Sequence, residues 1–330
     1  MERVALLLPG QGSQHDRMAL GLYGTETVFT LALDDAFAAL GTDGARLRRA
    51  WMSGGADIHH VTLSQPMLFA VDYAMGRLVE SWGVRPGALL GHSVGEVAGA
   101  VLAGVFSLRD AAGMLLDRIH RLAAAPSGGM LAVAATPAEV GPYLRGDVAV
   151  GAVNAPRQVV LAGLDGELEA VRSSLEEAGF ISRPVPTTRP FHSPALAEAV
   201  AGASIPPPAG PPEITLYSGY TAEPLGWDEV RDPSYWARQP VAAVMFWRAL
   251  DALLAEEDAV LVETGPGQEL GKLARRHPAV RSGHSAVVSL LPARPGPPEA
   301  DRGALREARA ALAGIGVIGD APARSAPGSG

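Results

Sequence analysis

The sequence predicts an α/β protein in two parts, a large α/β domain interrupted by a smaller ferredoxin-like subdomain. Three observations carry this reading. Short apolar runs at residues 4–8 and 88–90 lead into glycine-rich turns, and the second turn opens a helix. Residues 130–185 then follow a strand–helix–strand–strand–helix–strand order. After the proline-rich stretch 206–212 the α/β pattern resumes. The expected division is 1–126 and 193–318 for the large domain and 127–192 for the insert, with a disordered Ala/Pro/Ser/Gly tail at 319–330.

Each element has its own justification. Residues 4–8 are a buried strand because five apolar side chains run unbroken until Pro9 and Gly10 turn the chain. Residues 64–82 read as a helix, since Met67, Ala70, Val71, Ala74 and Leu78 recur at steps of three and four. Pro86 closes that connection, 88–90 form a second strand, and a helix runs from 95 to about 104. In the insert, strands are expected at 130–135, 148–153, 158–162 and 181–185, with helices at 137–144 and 166–178. A strand at 214–217, a helix around 244–254 and a strand at 259–262 complete the large domain.

Composition narrows the chemistry. The 330 residues are 48% hydrophobic and 19% charged, enough apolar material for one large core and a satellite. There is no cysteine, so disulfides, zinc–thiolate sites and a thiol nucleophile are excluded, and no metal is expected. The net charge of −8 argues against nucleic acid. No leader pattern or long apolar span is evident, so the expectation is a cytoplasmic protein that does not engage membranes.

Gly91-His92-Ser93-Val94-Gly95 matches G-x-S-x-G, in which a strained strand-to-helix turn pushes the serine hydroxyl clear of the sheet. The large domain is therefore expected to be α/β-hydrolase-like, with Ser93 as nucleophile and the Val94 amide where an oxyanion would develop. A serine needs a base, and there are eight histidines. His92 should point the opposite way out of the turn, and His15, His59, His60, His277 and His284 lie in polar, loop-like settings. His192 stands where the chain crosses back from the insert, although taken alone a histidine in a loop is more often merely solvated.

Several further motifs stand in order along the chain: Leu8-Pro9-Gly10-Gln11-Gly12-Ser13-Gln14, Gly91-His92-Ser93-Val94-Gly95-Glu96, Arg118, Val153-Asn154-Ala155-Pro156-Arg157, Phe191-His192-Ser193 and Glu263-Thr264-Gly265-Pro266-Gly267. Together they resemble the malonyl-CoA:acyl-carrier-protein transacylase family, including the discrete and modular acyltransferases of polyketide synthases. The resemblance implies an acyltransferase with Ser93 as nucleophile and His192 as base and then acid, held by a backbone carbonyl. It also implies an oxyanion hole from the Gln11 and Val94 amides. Arg118 is implied to pair with a malonyl carboxylate, and Phe191 to crowd an α-substituent. Asn154 and Gln239 are implied to line the substrate site.

No cofactor is implied, the substrates carrying coenzyme A or phosphopantetheine. The implied partner is an acyl carrier protein and the implied state a monomer, in polyketide biosynthesis. Lys272, Arg275 and Arg276 are candidates for docking the acidic carrier, with a solvated helix face as the plain alternative. Ile119 and His120 after Arg118, and Arg189-Pro190 before Phe191, depart from the family pattern and leave open a different acyl group. They also leave open a carrier-to-carrier transferase; an editing hydrolase would use the same Ser93 and His192, and the retained Arg118 argues against it.

Overall fold

The computed structural model describes residues 3–319. The chain forms two sheets. The first contains β1 (Arg3–Leu8), β2 (Ala88–Gly91), β7 (Thr215–Tyr217), β8 (Ala259–Glu263) and β9 (Ala286–Ser289), in the order β7-β2-β1-β8-β9, with every neighbouring pair parallel. Helices cover both faces, so between Arg3 and Glu263 at their ends the central strands read as continuous apolar runs rather than alternating. The alternation reappears in where the side chains go. Leu6, Leu8, Leu89, Val260 and Val262 enter one core, and Ala5, Leu7, Leu90 and Leu261 the other.

The second sheet contains β3 (Gly128–Val133), β4 (Ala149–Ala155), β5 (Gln158–Leu164) and β6 (Ser182–Val185), in the antiparallel order β4-β5-β3-β6. That order with two helices is the ferredoxin-like arrangement. Val171 and Leu175 of the helix Asp165–Glu177 close a small core of its own. Its other face contributes Ala152, Ala155 and Val160 to the core beneath the large sheet.

Backbone hydrogen bonds tie the small sheet to the segment of the large domain that precedes the helix Phe246–Glu256. β4 carries a bulge between Val150 and Ala152, and there the Val153 amide donates to the Val244 carbonyl at 2.7 Å while the Val244 amide donates to Gly151 at 2.9 Å. This pairing explains one difference from expectation. The helix anticipated from 244 begins at Phe246, because Val244 is extended and bonded across to β4. The helix expected over 137–144 is likewise one α turn, Pro137–Val140, followed by a 3₁₀ turn, Gly141–Tyr143. Pro142 has no N–H with which to continue the α ladder. Of the tail expected at 319–330, residues 320–330 lie outside the described residues. Among the described residues no helix is long and apolar enough to cross a membrane.

Candidate active site

The nucleophile turn follows directly from β2. His92 N donates to the Leu8 carbonyl at 2.9 Å, extending the β1–β2 pairing by one step, and the helix Val94–Leu102 starts at once. Such a turn needs two side-chain-free positions. A Cβ on Gly91 would sit 2.2 Å from the Glu96 nitrogen, and one on Gly95 would sit 2.0 Å from the Leu8 carbonyl oxygen. Ser93 between them has φ 56°, a left-handed conformation that costs a serine roughly 1–3 kcal/mol and is held by the surrounding packing.

Ser93 Oγ lies 2.8 Å from His192 Nε2, across 99 positions of sequence. His192 is itself left-handed, with φ 63°. Its amide donates to the Pro240 carbonyl at 2.7 Å, and its Nδ1 faces the carbonyls of Ala242 (2.8 Å) and Gln239 (3.0 Å). Carbonyl oxygens only accept, so Nδ1 carries the hydrogen and Nε2 is the free base toward Ser93. Burial, reinforced by His92 and Arg118 and opposed by those two carbonyls, pushes the imidazole pKa down to about 4. It is therefore neutral near pH 7, the state a general base requires.

His92 points away from Ser93, as expected. Its Nε2 donates to Asn154 Oδ1 at 3.0 Å, stitching the nucleophile turn to β4. The remaining histidine readings need one correction. His277 is no solvated loop residue: it is buried, caps the helix Pro278–Arg281 and bonds Asp251 through Nε2 at 2.7 Å.

Arg118, on the helix Leu108–Ala124, is buried in the same pocket as Ser93 and His192. Its Nη2 donates to the Trp236 carbonyl at 3.2 Å and to Gln239 Oε1 at 3.0 Å. Gln239 thus serves two functional groups, its side chain orienting Arg118 and its carbonyl holding His192. Its Nε2 continues to Glu96 Oε1 at 3.0 Å. Glu96 also accepts from the Gly219 amide at 2.8 Å and from the Tyr235 hydroxyl. Burial raises the Glu96 pKa to about 7, against the pull of these donors and of Arg118.

Phe191, Leu122, Gln65 and Pro240 complete a pocket with only about 10 Å³ of free space. Outside it, a cleft of about 490 Å³ opens between the two sheets, lined by Gly10, Gln11, Gly12, His92, Asn154 and Thr187 among others. Asn154 belongs to this cleft and not to the inner pocket. The Gln11 and Val94 amides have no acceptor among the described hydrogen bonds, which leaves both available to an incoming oxygen. The Gln11 side chain is fixed instead, accepting from Gln65 at 3.3 Å and donating to Thr187 at 3.4 Å.

Lys272 and Arg276 flank the cleft. Lys272 is paired with Glu269 at 2.7 Å, and Arg276 with Gln158 at 2.8 Å, both partners being cleft-lining residues. Arg275 follows the helix Glu269–Ala274 and makes no ion pair among the described residues.

Sequence reasoning did not assign roles to Gln65, Glu96, Tyr220 or Tyr235. For Glu96 a signal existed: it is the one charge in the helix sequence VGEVAGAVL, where burial without a partner would be prohibitive.

Residues 6–292 match the acyl transferase domain family. The chain belongs to that family. The domain is 39% identical over 295 residues to one component of the phenolphthiocerol/phthiocerol polyketide synthase of Mycobacterium tuberculosis, covering 87% of this chain and 20% of that protein. The chain thus spans about a fifth of the length of this relative. Among solved structures, the acyltransferase domain from the second module of the salinomycin polyketide synthase superimposes with a TM-score of 0.86 at 31% identity. That match covers 99% of this chain and 79% of the other. The malonyl-CoA:acyl carrier protein transacylase of Xanthomonas oryzae gives 0.78 at 26%, covering 93% and 98%. This acyl transferase domain is thus of the polyketide synthase type, with a fold shared by discrete transacylases.

Proposed function

We propose that this domain moves a malonyl-type acyl group from a thioester, through an ester on Ser93, to the phosphopantetheine thiol of an acyl carrier protein. One observation carries the reading: a serine within 2.8 Å of a neutral, backbone-clamped histidine shares its pocket with a buried guanidinium. The relatives' names supply polyketide synthesis as the setting.

In the first half-reaction Ser93 Oγ attacks the thioester carbonyl carbon and its proton passes to His192 Nε2. The oxyanion is received by the Gln11 and Val94 amides, each worth on the order of 3 kcal/mol of barrier. Collapse breaks the carbon–sulfur bond, and His192 returns the proton to the departing sulfur. In the second half-reaction the carrier thiol gives its proton to His192 and attacks the ester. Collapse breaks the carbon–oxygen bond and Ser93 recovers the proton. Arg118 holds the distal carboxylate throughout, and the tight inner pocket excludes the water that would otherwise hydrolyse the ester.

Intact-protein mass spectrometry after incubation with malonyl-, methylmalonyl- and acetyl-coenzyme A and with acyl-loaded carriers tests this. The expected result is a malonyl adduct lost in Ser93→Ala and strongly reduced in Arg118→Ala. A malonyl adduct only from a loaded carrier would make the enzyme a carrier-to-carrier transferase, and an adduct only of a monocarboxylic acyl group would overturn the malonyl assignment.

A further inference from the structure

Two buried polar atoms at and beside the inner pocket have no hydrogen-bond partner among the described residues: Gln65 Oε1, which can only accept, and the Tyr220 hydroxyl, which can donate. Tyr220 follows Gly219 in the turn after β7, a turn fixed by the Gly219 amide on Glu96 and by the Tyr220 and Thr221 amides on Ser218 Oγ at 3.0 Å each. Its ring lies 6.2 Å from the His192 ring and packs edge-on against Tyr235, also at 6.2 Å. The ring's position is therefore set from two sides. Its hydroxyl is fully enclosed yet has no hydrogen-bond partner, although it lies alongside the Ser93 side chain. Burial, with Glu96 adding to it and Arg118 opposing, raises the phenol well above its ordinary range, so the group is an O–H donor at any working pH.

An enclosed donor without an acceptor costs roughly 1–3 kcal/mol, and a tyrosine hydroxyl in a protein interior normally finds a partner. The acceptor alongside it is Ser93 Oγ, which itself donates to His192 and is no longer a hydroxyl once acylated, while Glu96 accepts from Gly219, Gln239 and Tyr235 and Arg118 has only donors. An acceptor from outside, placed between the phenol, Ser93 and Arg118, would satisfy the hydroxyl. Arg118 presents the same vacancy: its Nη2 is used by Trp236 and Gln239, while Nε and Nη1 have no acceptor among the described hydrogen bonds.

Resting on the reading of the substrate as a malonyl-type thioester, we infer that Tyr220 is a substrate-binding residue whose hydroxyl donates to the acyl carboxylate beside Arg118. Arg118 supplies charge, and Tyr220 supplies a fixed direction. Together they distinguish a carboxylate, which accepts from both, from an uncharged acyl tail, which leaves both unsatisfied. Discrimination by buried donors of this kind far exceeds what pocket shape alone provides.

The test is Tyr220→Phe, which keeps the ring and its packing and removes the one oxygen. Acyl-Ser93 formation would be timed by intact-protein mass spectrometry with malonyl- and acetyl-N-acetylcysteamine thioesters, and malonate binding to the Ser93→Ala protein by calorimetry, with and without Tyr220→Phe. The inference expects the malonyl-to-acetyl rate ratio to fall about 10- to 100-fold, and malonate to bind more weakly by a similar factor. Equal slowing with both thioesters and unchanged malonate affinity would mean that the hydroxyl positions Ser93, overturning the inference. No change in either readout would overturn it as well. A wild-type protein that takes acetyl but never malonyl overturns the malonyl reading first and this assignment with it. Normal malonyl loading unaffected by the substitution overturns this assignment alone.

Discussion

The inner pocket and the outer cleft meet at the nucleophile turn and are built on opposite principles. Around Ser93 there is about 10 Å³ of free space, walled by side chains from five segments and tied by bonds through Gln239, Glu96 and the 239–242 carbonyls. The cleft beyond Gln11 and His92 offers about 490 Å³ and is lined by the glycine-rich turn 9–13, by one face of the small sheet and by the helix Glu269–Ala274. The difference teaches a division of labour. Groups that touch the reacting carbon are over-determined, because misplacement by about 1 Å can cost roughly 10²-fold in rate. On the proposed function, the roomy region is the one that would admit a long flexible arm and release it in every cycle.

The comparison can be broken by substitutions on each side. The largest effect should come from His192→Ala, which removes the base hydrogen-bonded to Ser93. Ester formation from malonyl thioester should slow about 10³-fold or more in rapid-quench mass spectrometry, while affinity for the pantetheine arm, set by the cleft, stays within about twofold.

Next is Gln239→Ala. Two bonds to charged or ionisable partners disappear together, leaving Arg118 and Glu96 short of partners, and kcat/KM for malonyl transfer should fall about 100-fold. If transfer of malonyl and acetyl groups fell equally, the coupling of Gln239 to Arg118 would be of no consequence for the acyl carboxylate.

The third prediction concerns pH. His192 is depressed, so it remains neutral as pH falls and becomes protonated only near pH 4. The rate of Ser93 acylation should therefore hold down to pH 5, where a histidine titrating at 6.5 would already have lost about 30-fold in its basic form. An acid limb centred at 6–6.5 in the pH–rate profile would show that the base is not enclosed during the reaction. The smallest effect should be that of Asn154→Ala in the outer cleft. Losing one hydrogen bond to His92 should raise KM for the carrier about fivefold and leave kcat nearly unchanged, as measured by steady-state transfer.

What the sequence could reveal follows the same boundary. The β1 and β2 strands, the serine turn and the alternation of strands and helices in the insert were legible because each is encoded by neighbours a few residues apart. Ser93, the clash positions Gly91 and Gly95, and the Val94 amide come from one pentapeptide. His192 could be singled out by its place at the crossover, but its partner carbonyls could not, since Gln239, Pro240 and Ala242 approach it from some 50 positions away.

The partners of Glu96, and the parts played by Tyr220 and Tyr235, were invisible for the same reason. Gly219 and Tyr235 reach Glu96 across 123 and 139 positions, and no local period announces such a contact. Val244 was misjudged because its pairing with β4 outweighs its place at the head of an apolar helical run. The docking surface was read from charge alone, and two of its three residues turn out to be engaged with cleft-lining side chains.

The seam at Val153 and Val244 has a mechanical meaning. Residues 239–245 hold the His192 ring by two carbonyls, hold its backbone through Pro240, bond β4 through Val244 and bond Gly219 through the Met245 amide at 2.5 Å. One short strip of chain is therefore the spine on which both sheets are bound. Such a spine fixes the base from the side where the two sheets meet, away from the far edges of the cleft. On the proposed function, a carrier's arm entering by the fore-edge would find the proton-transfer geometry already assembled on each visit.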